Sequence, residues 1–520
     1  MIPSTTSAAG RYTQLVSLRD PFLQRARECA VLTIPALMPP EGSTGSTKLS
    51  TPHQGMGARG VNNLAAKLQL ALFPPNRPFF RMLVDDYTLQ KMTKREGMRA
   101  EVEKALSSFE RAVLTKMETS RLRTALFEVI KQLVLCGNVL VHILPHGGIK
   151  SFRLDSYVVS RDTAGNLLEI IVKESVAPST LPPAARAVVE TTSTDVNKSI
   201  DIYTRIWRNG NHWKVHQEIS GTVIPGTDGH YPLNRLPWLA LRWTRIPGED
   251  YGRGHVEEYL GDLKSYEGLA KAIVEGSAAS ARLLILVNPN GNTRAKDVAE
   301  APNGAVRVGH KDDVTTLHMD KFADFQVALK TIELIQQRLS YAFMLNAAVQ
   351  RAGERVTAEE IRYVAGELED ALGGIYSVLS QDFQLPLVEI YIHEMEKARE
   401  LPPLPKELVR PTITTGLEAL GRGHDLNRIQ MLLNVLQPLG ADAVANYLNV
   451  SDYITRAGNA LGIDMAGLVK TQDQIAADNQ QAQIMALVQK LGPNAMQILR
   501  DQMNPANQQD ANGPQAQPSQ

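Results

Sequence analysis

Cysteine is nearly absent from this sequence. Its 520 residues include only Cys29 and Cys136, and both fall within apolar, helix-like patterns. Two cysteines cannot form the disulfide framework on which small secreted domains depend, and no secretory signal precedes them. We therefore predict two buried free thiols in a protein made in a cytoplasm.

An excess of charge of either sign is also missing. The chain contains 55 basic and 55 acidic residues, whereas proteins that coat DNA usually carry a large basic excess. This balance argues against a DNA-coating protein but not against a channel through which DNA slides, because tight phosphate binding would hinder movement. The apolar run Leu283–Val287 is far shorter than the ~18–20 residues of a membrane span, so we predict no membrane contact.

Recognisable catalytic and metal-binding motifs are missing as well. The stretch Gly42–Ser50 resembles a phosphate-binding loop but lacks its G-K-[ST] ending and a preceding strand. His212 and His216 lie in a strand-like pattern, where a spacing of four is a weak metal signal. The carboxylate pairs Glu257–Glu258 and Glu359–Glu360 suit a solvated helix face or a helix cap better than acid–base catalysis. The sequence therefore predicts no enzyme, no cofactor and no metal.

The period of the hydrophobic pattern changes along the chain. Up to about Leu135 apolar residues recur at helical spacing, whereas from Asn138 to Trp243 they alternate with polar residues, as in strands. Within this region, Pro178–Asn197 is rich in Thr, Ser, Ala and Pro, and we predict a mobile excursion there. The whole pattern predicts a mixed α+β fold, predominantly α-helical, with more than one packing unit.

Two long helical patterns flank a short insert. They run from His255 to Leu283 and from Phe322 to Phe343, and the insert between them contains the strand-like stretches Ala305–Val308 and Val314–Met319. Glycines recur in the first pattern at nearly seven-residue spacing, although each costs a helix ~1 kcal/mol relative to alanine. They indicate either close helix-to-helix packing in a ring or simple tolerance on one face. The four glycines are Gly254, Gly261, Gly268 and Gly276.

A polar loop follows the second long helix. It ends at Thr357 and Glu360, which form a T-x-x-E capping box and predict the start of another long helix. An arginine in such a loop suits transient contact with phosphate oxygens, because its donor fork matches phosphate geometry. The alternative is an ordinary surface loop with local ion pairs. The loop carries Gln350, Arg351, Glu354 and Arg355.

Four long stretches together resemble the head-to-tail connector, or portal, proteins of short-tailed bacteriophages. They are collinear and of ordinary complexity, and they extend from about Gly55 to Leu426. The four stretches are Gly55–Met82, Tyr251–Gly291, Leu345–Gln381 and Pro411–Leu426.

This resemblance implies a phage portal architecture of wing, stem, clip and crown that assembles as a cyclic ring, with twelve subunits expected. The two stem helices carry candidate channel-lining residues of both charges, and the clip carries basic candidates. The expected domains are 1–250 wing, 251–283 stem helix, 284–320 clip, 321–345 second stem helix, 346–356 channel loop, 357–423 long wing helix and connector, 424–503 helical crown, and 504–520 disordered tail. The channel-lining candidates are Glu258, Asp262, Lys264, Glu267, Lys271, Lys330 and Arg338, and the clip candidates are Arg294, Lys296, Arg307 and Lys311.

The resemblance also implies where such a protein works. The ring would sit in the virion at one capsid vertex after assembly in the host bacterial cytoplasm, with double-stranded DNA in its channel. Its expected partners are the terminase motor, tail adaptor proteins, and capsid and scaffolding proteins. Two alternatives stay open: a helical structural adaptor that never contacts DNA, and a nucleic-acid-processing enzyme with an unrecognised site.

Overall fold

The computed structural model describes residues 7–75, 78–84, 98–145, 147–192, 199–280, 284–317, 322–345, 374–402 and 409–413, with positions 366, 368, 371, 372 and 434. The chain divides into two compact units, Met1–Ala419 and Leu420–Gln520. Every element below belongs to the first unit. The predicted channel loop, crown and tail lie outside the described residues, apart from position 434.

Helices make up most of the N-terminal region, antiparallel strands dominate residues 138–242, and helices predominate again after that. The helices are α1 (Ala8–Val31), α2 (Met56–Leu72), α3 (Met98–Thr119), α4 (Leu122–Cys136), α5 (Pro183–Thr192), α6 (His255–Glu258), α7 (Leu260–Ser280), α8 (Ala295–Ala299), α9 (Phe322–Ala342), α10 (Gly374–Leu379) and α11 (Leu385–Lys397). The strands are β1 (Phe80–Val84), β2 (Asn138–Ile143), β3 (Ile149–Phe152), β4 (Tyr157–Arg161), β5 (Leu167–Val176), β6 (Ile200–Asn209), β7 (His212–Ile219), β8 (Thr222–Val223), β9 (Gly229–Pro232), β10 (Trp238–Arg242), β11 (Leu284–Val287), β12 (Val314–Leu317) and β13 (Val409–Ile413).

The alternating region forms two antiparallel sheets. Six strands pair in the order β4-β5-β6-β7-β8, with β9 also on β7, and three more pair in the order β10-β2-β3. The hairpin between β6 and β7 turns at Gly210, whose φ of 61° is accessible to glycine at little cost. The strands predicted from alternation are therefore confirmed.

Two segments distant in the sequence form a strand pair that the sequence did not predict. Residues of β1 pair antiparallel with those of β13, from Phe80 opposite Ile413 to Val84 opposite Val409. The N-terminal part was predicted to be mainly helical, and the region around β13 was predicted to belong to the long wing helix and connector. A five-residue strand in a helical region has no periodic signal of its own, so only its distant partner defines it.

The predicted mobile excursion at Pro178–Asn197 is wrong for its first part. Residues Pro183–Thr192 form α5, whose Ala185 and Val189 are buried against Ile219 and Ile224. The two apolar residues, which are four positions apart, pack the helix against the sheet. The surrounding Thr, Ser and Pro residues made this helical spacing hard to recognise in the sequence. Residues 193–198 lie outside the described residues.

The insert contains one predicted strand and lacks the other. Strand β12 pairs with β11, from Leu284 opposite Leu317 to Val287 opposite Val314. The stretch Ala305–Val308, predicted to be a strand, has no strand partner among the described residues. The apolar run of β11 takes the place beside β12 instead.

Two main clusters of buried side chains hold the first unit together. One surrounds α2 and α4 and reaches α9 and α11, and the other lies between α1 and the large sheet. Cys29 and Cys136 are both buried and both free, which confirms the prediction of two buried thiols. Burial raises the pKa of Cys29 to about 12, so its thiol is protonated and unreactive near neutral pH.

A histidine in the small sheet makes the stability depend on pH. The ring of His142 stacks on Trp238 at 3.8 Å between centroids, and burial, assisted by Lys150, lowers its pKa from 6.5 to about 4. Between these values the unfolded chain binds the proton more readily. The free energy of unfolding should therefore fall by up to about 3 kcal/mol as the pH falls from 6.5 to 4, and the contribution should be constant above 6.5.

The variant His142→Phe keeps an aromatic ring on Trp238 but cannot bind a proton. Denaturant unfolding between pH 4 and 7 should show a shallower loss of stability for this variant than for the natural protein. Equal slopes in the two proteins would contradict the assignment to His142.

Candidate functional site

The antiparallel pair of long helices, α7 and α9, is the most distinctive feature of the first unit. At 1.5 Å per residue, each 21-residue helix is roughly 30 Å long. Arg338 binds Asp262 across the pair at 2.8 Å, and Phe325 lies so close to Gly276 that a Cβ atom there would be 2.5 Å from its ring. Gly276 therefore has a packing role within the protomer.

The first of these helices is shorter than predicted. The helical pattern from His255 is interrupted at Tyr259, so that α6 forms one short turn before α7 begins at Leu260. Gly254, which precedes α6, lies against Leu135, where a Cβ atom would be 2.6 Å from the carbonyl oxygen. This close approach positions the start of the helix pair on α4.

Helix α7 is attached to the N-terminal region by ion pairs and hydrogen bonds. The carboxylate of Glu267 accepts hydrogen bonds from the backbone N–H groups of His53 and Gln54, and it also contacts the His53 ring at 2.8 Å. Burial alone would raise the pKa of Glu267, but these hydrogen bonds outweigh it and lower the pKa. Lys264 binds Glu28 of α1 at 2.8 Å.

The end of α9 packs into an aromatic cluster at the start of α6. His255 donates from Nε2 to the carbonyl oxygen of Ala342 at 2.9 Å, and its ring contacts those of Trp243 and Phe343. Burial lowers the pKa of His255, so the neutral ring makes this hydrogen bond at physiological pH. The two long helices are thus joined at their base as well as along their length.

Helix α2 holds the last turn of α9. Asn63 donates from Nδ2 to the carbonyl oxygens of Phe343 and Met344 at 3.0 Å, and the buried Lys67 donates to that of Met344 at 2.9 Å. Met344 itself has a φ of 53°, a conformation that ends the helix. These contacts fix the position from which the predicted channel loop departs.

Asn63 and Lys67 were not among the residues predicted from the sequence. Both lie next to the buried apolar residues of α2, and Lys67 is buried together with Leu64 and Leu68. A lysine so close to a buried helix face is the one sequence signal that could have identified them, because a buried ammonium group needs partners. The identity of those partners depends on the distant end of α9.

The insert lies at the opposite end of the helix pair. Asp313 accepts hydrogen bonds from the backbone and hydroxyl of Thr293, which closes the insert on itself. The four predicted clip residues are all exposed, and only Lys296 has an ion pair among the described residues, with Glu300 at 4.0 Å. They are Arg294, Lys296, Arg307 and Lys311.

The predicted channel-lining residues occupy different environments. Besides the four already described as bound within the protomer, Lys271 pairs with Glu275 at 3.9 Å, and Lys330 is exposed. Glu258 is exposed and makes no ion pair among the described residues, and partial desolvation of its carboxyl group raises its pKa. Six of the seven residues lie on the α7–α9 pair and Glu258 lies on α6, and their role in a channel stays a prediction. The four loop candidates, Gln350, Arg351, Glu354 and Arg355, lie outside the described residues.

Other kinds of site were sought in the same part of the chain. Among the residues that the structure describes, no group of three or more His, Cys, Asp or Glu side chains is arranged to hold a metal ion. None of the described helices combines the length and apolar character needed to cross a membrane.

Comparison with known proteins assigns the family. Residues 5–469 match the family described as bacteriophage head to tail connecting protein. The chain is 42% identical to the portal protein of Escherichia phage T7 over 89% of this chain and 88% of that protein. It is also 42% identical to the portal protein of Enterobacteria phage T3, over 90% and 89% of the two chains.

A more distant likeness is found among solved structures. A protein in the neck of an empty GTA particle is 12% identical, with 73% of this chain and 86% of that chain covered and a TM-score of 0.36. The family assignment depends on the sequence matches alone. The chain belongs to the bacteriophage head-to-tail connecting, or portal, protein family, a structural family rather than an enzymatic one.

Proposed function

We propose that this portal protein forms a ring of twelve subunits at one vertex of the capsid, with DNA passing through the central channel during packaging and ejection. The packaging motor and then the tail would dock on the ring. The observation that carries this proposal is the α7–α9 pair, which has an anchored base at one end and an exposed insert at the other. A ring of such pairs would enclose a channel about as long as the helices.

Each part of the protomer has a corresponding role in this proposal. The helices and sheets up to about residue 250 would form the wing, α7 and α9 the stem, and the insert between them the clip that faces motor and tail. The loop at 346–356 would extend from the α9 base into the channel. Hydrogen bonds from Asn63 and Lys67 support this role, because they hold the carbonyl groups immediately before the loop.

The balanced charge of the chain suits a channel through which DNA moves better than a protein that holds DNA tightly. With equal numbers of acidic and basic residues, the channel would repel phosphate at some levels and attract it at others, so that DNA is guided without being trapped. Arg351 and Arg355 would supply weak contacts in each subunit, and a ring would repeat them. ATP hydrolysis would belong to a separate motor protein.

The double variant Arg351→Ala/Arg355→Ala tests the channel-loop role. We expect it to form normal rings but to package or retain DNA at least about tenfold less well, because a ring of phosphate contacts is lost. Ring formation is measured by electron microscopy and by solution mass, for which twelve 57.2-kDa chains give roughly 690 kDa. Packaged DNA is measured by nuclease protection.

A matched control removes two positive charges far from the loop. Arg208→Ala/Lys214→Ala changes two exposed residues on neighbouring strands and should leave packaging unchanged. Normal packaging by the loop variant would contradict the DNA-contact role and favour an adaptor that does not touch DNA. A protein that stays monomeric at high concentration would contradict the ring itself.

A further inference from the structure

Helix α9 exposes a regular line of large apolar side chains. Val327, Leu334 and Tyr341 are spaced seven residues apart, or nearly two helical turns, so they lie on one face. Their exposed fractions are 68%, 58% and 67%. The opposite side of α9 is occupied within the protomer, where Ile335, Leu339 and Phe343 are buried. We call Val327, Leu334 and Tyr341 the apolar stripe.

Helix α7 carries a line of small side chains on its own exposed face. Within the part of the chain that the structure describes, a Cβ atom added at Gly261 or Gly268 would meet nothing within 4 Å, whereas one at Gly276 would overlap the ring of Phe325. Glycine costs an exposed helix about 1 kcal/mol relative to alanine, and no contact with the described residues accounts for the cost at these two positions. Ser265 and Ala272 lie on the same exposed side. We call Gly261, Ser265, Gly268 and Ala272 the small-residue face.

We propose that the apolar stripe of one subunit packs into the small-residue face of the next subunit. This inference rests on the proposed ring and identifies the surfaces that would close it. The stripe supplies knobs and the small-residue face supplies a shallow groove in which a neighbouring helix can approach closely. Because the two surfaces differ and lie on different helices, each subunit uses both, and the contact is heterologous and closes on itself by rotation.

The residues of the two surfaces lie at matching heights along the axis of the α7–α9 pair. Asp262 is level with Arg338 and Gly276 with Phe325, which defines the antiparallel register of the helix pair. Rotation about a ring axis does not shift a subunit along that axis, so helices that run along it keep these levels between neighbours. Each residue of the apolar stripe then falls within two residues of the height of one small residue: Leu334 of Ser265, Val327 of Ala272 and Tyr341 of Gly261.

The charges at one end of the contact are also complementary. Arg338 is 64% exposed at its side chain despite its bond to Asp262. Glu258, on the segment leading into the small-residue face, is exposed and makes no ion pair among the described residues. In the proposed packing, Arg338 of one subunit and Glu258 of the next differ in height by about one helical turn. The long arginine side chain can span that distance.

Chemical cross-linking tests the contact in the full-length protein. In the variant Ser265→Cys/Leu334→Cys, a short bifunctional thiol reagent should join neighbouring subunits and give a ladder of products beyond the dimer on a denaturing gel. The natural Cys29 and Cys136 are buried, so background should be low. Each single-cysteine variant should give no ladder.

A second pair controls for proximity within the stem. Gln336 is exposed on α9 but lies on the side away from the apolar stripe, so Ser265→Cys/Gln336→Cys should cross-link at least about tenfold less. Electron microscopy of the same samples shows whether rings form, and this separates a failure of the assigned packing surfaces from a failure of the proposed ring. Rings without cross-links, or products that stop at the dimer, would overturn the assigned surfaces and leave the ring intact. Absence of rings in the natural protein would overturn the proposed function and this inference together.

Discussion

The variant Gly137→Ala is expected to lose at least about 3 kcal/mol of unfolding free energy. Gly137 has a φ of 72°, which a side chain disfavours, and a Cβ atom there would lie 2.3 Å from the carbonyl carbon of Arg253 and 2.4 Å from the nitrogen of Gly254. Both neighbours are backbone atoms, so they cannot move aside as a flexible side chain would. Either the turn after α4 or the segment before α6 has to shift.

This site determines how the helix pair leaves the rest of the unit. Asn138 receives a hydrogen bond from the backbone N–H of Gly252 and donates one to its carbonyl oxygen, both at 2.7 Å. The N–H of Trp243 donates to the carbonyl oxygen of Gly137 at 2.9 Å. A shift at Gly137 should therefore change the direction of α7 and impair ring formation even in molecules that still fold.

Denaturant unfolding and electron microscopy check this prediction. The control is Gly45→Ala, between α1 and α2, where the added methyl group meets no atom of the described residues within 4 Å. That variant should keep its unfolding free energy or gain up to about 1 kcal/mol, because alanine reduces the conformational freedom of the unfolded chain. Equal stability of the natural protein and Gly137→Ala would show that the turn adjusts more easily than its backbone contacts indicate.

The variant Glu169→Ala is expected to lose about 3–5 kcal/mol of unfolding free energy, because it removes a buried carboxylate that binds two arginines. The Glu169 side chain is fully buried and binds Arg205 at 2.8 Å and Arg11 at 2.9 Å. Arg205 is only 3% exposed, so its guanidinium cannot turn to water. The pair is costly to break even where its net contribution relative to an apolar pair is small.

Loss of Glu169 should also loosen α1, because Arg11 lies on that helix and Glu169 on β5. Limited proteolysis within the first helix should therefore become faster. The control is Asp201→Ala, which breaks the half-exposed pair with Lys173 on the same two strands and should cost less than about 1 kcal/mol. Similar losses for the two variants would mean that burial adds little to the Glu169 pair.

Local patterns were sufficient for much of this fold. Alternation between Asn138 and Trp243 predicted the main strands, and helical spacing predicted α7 and α9 with an insert between them. These patterns work because an element that buries one face repeats its apolar residues at its own period. The family was indicated separately, by the resemblance of the long collinear stretches, and the sequence comparison confirms it.

Pairing between distant segments is what the sequence left undecided. β1 is a strand because β13 lies beside it, whereas Ala305–Val308 has no strand partner among the described residues. Similar local stretches thus end in different structures, since hydrogen-bond partners far apart in the chain decide between them.

The four glycines of the first long helical pattern also show what the sequence determines and what only the tertiary structure decides. The sequence by itself determined that glycine recurs near every seventh position in a chain with balanced charge, two cysteines and a portal-like order of elements. Only the tertiary structure separated Gly254 and Gly276, which touch α4 and Phe325, from Gly261 and Gly268, which face open space. Spacing places a residue on a face of its own helix, but the distant segments that fold onto that face decide what it contacts.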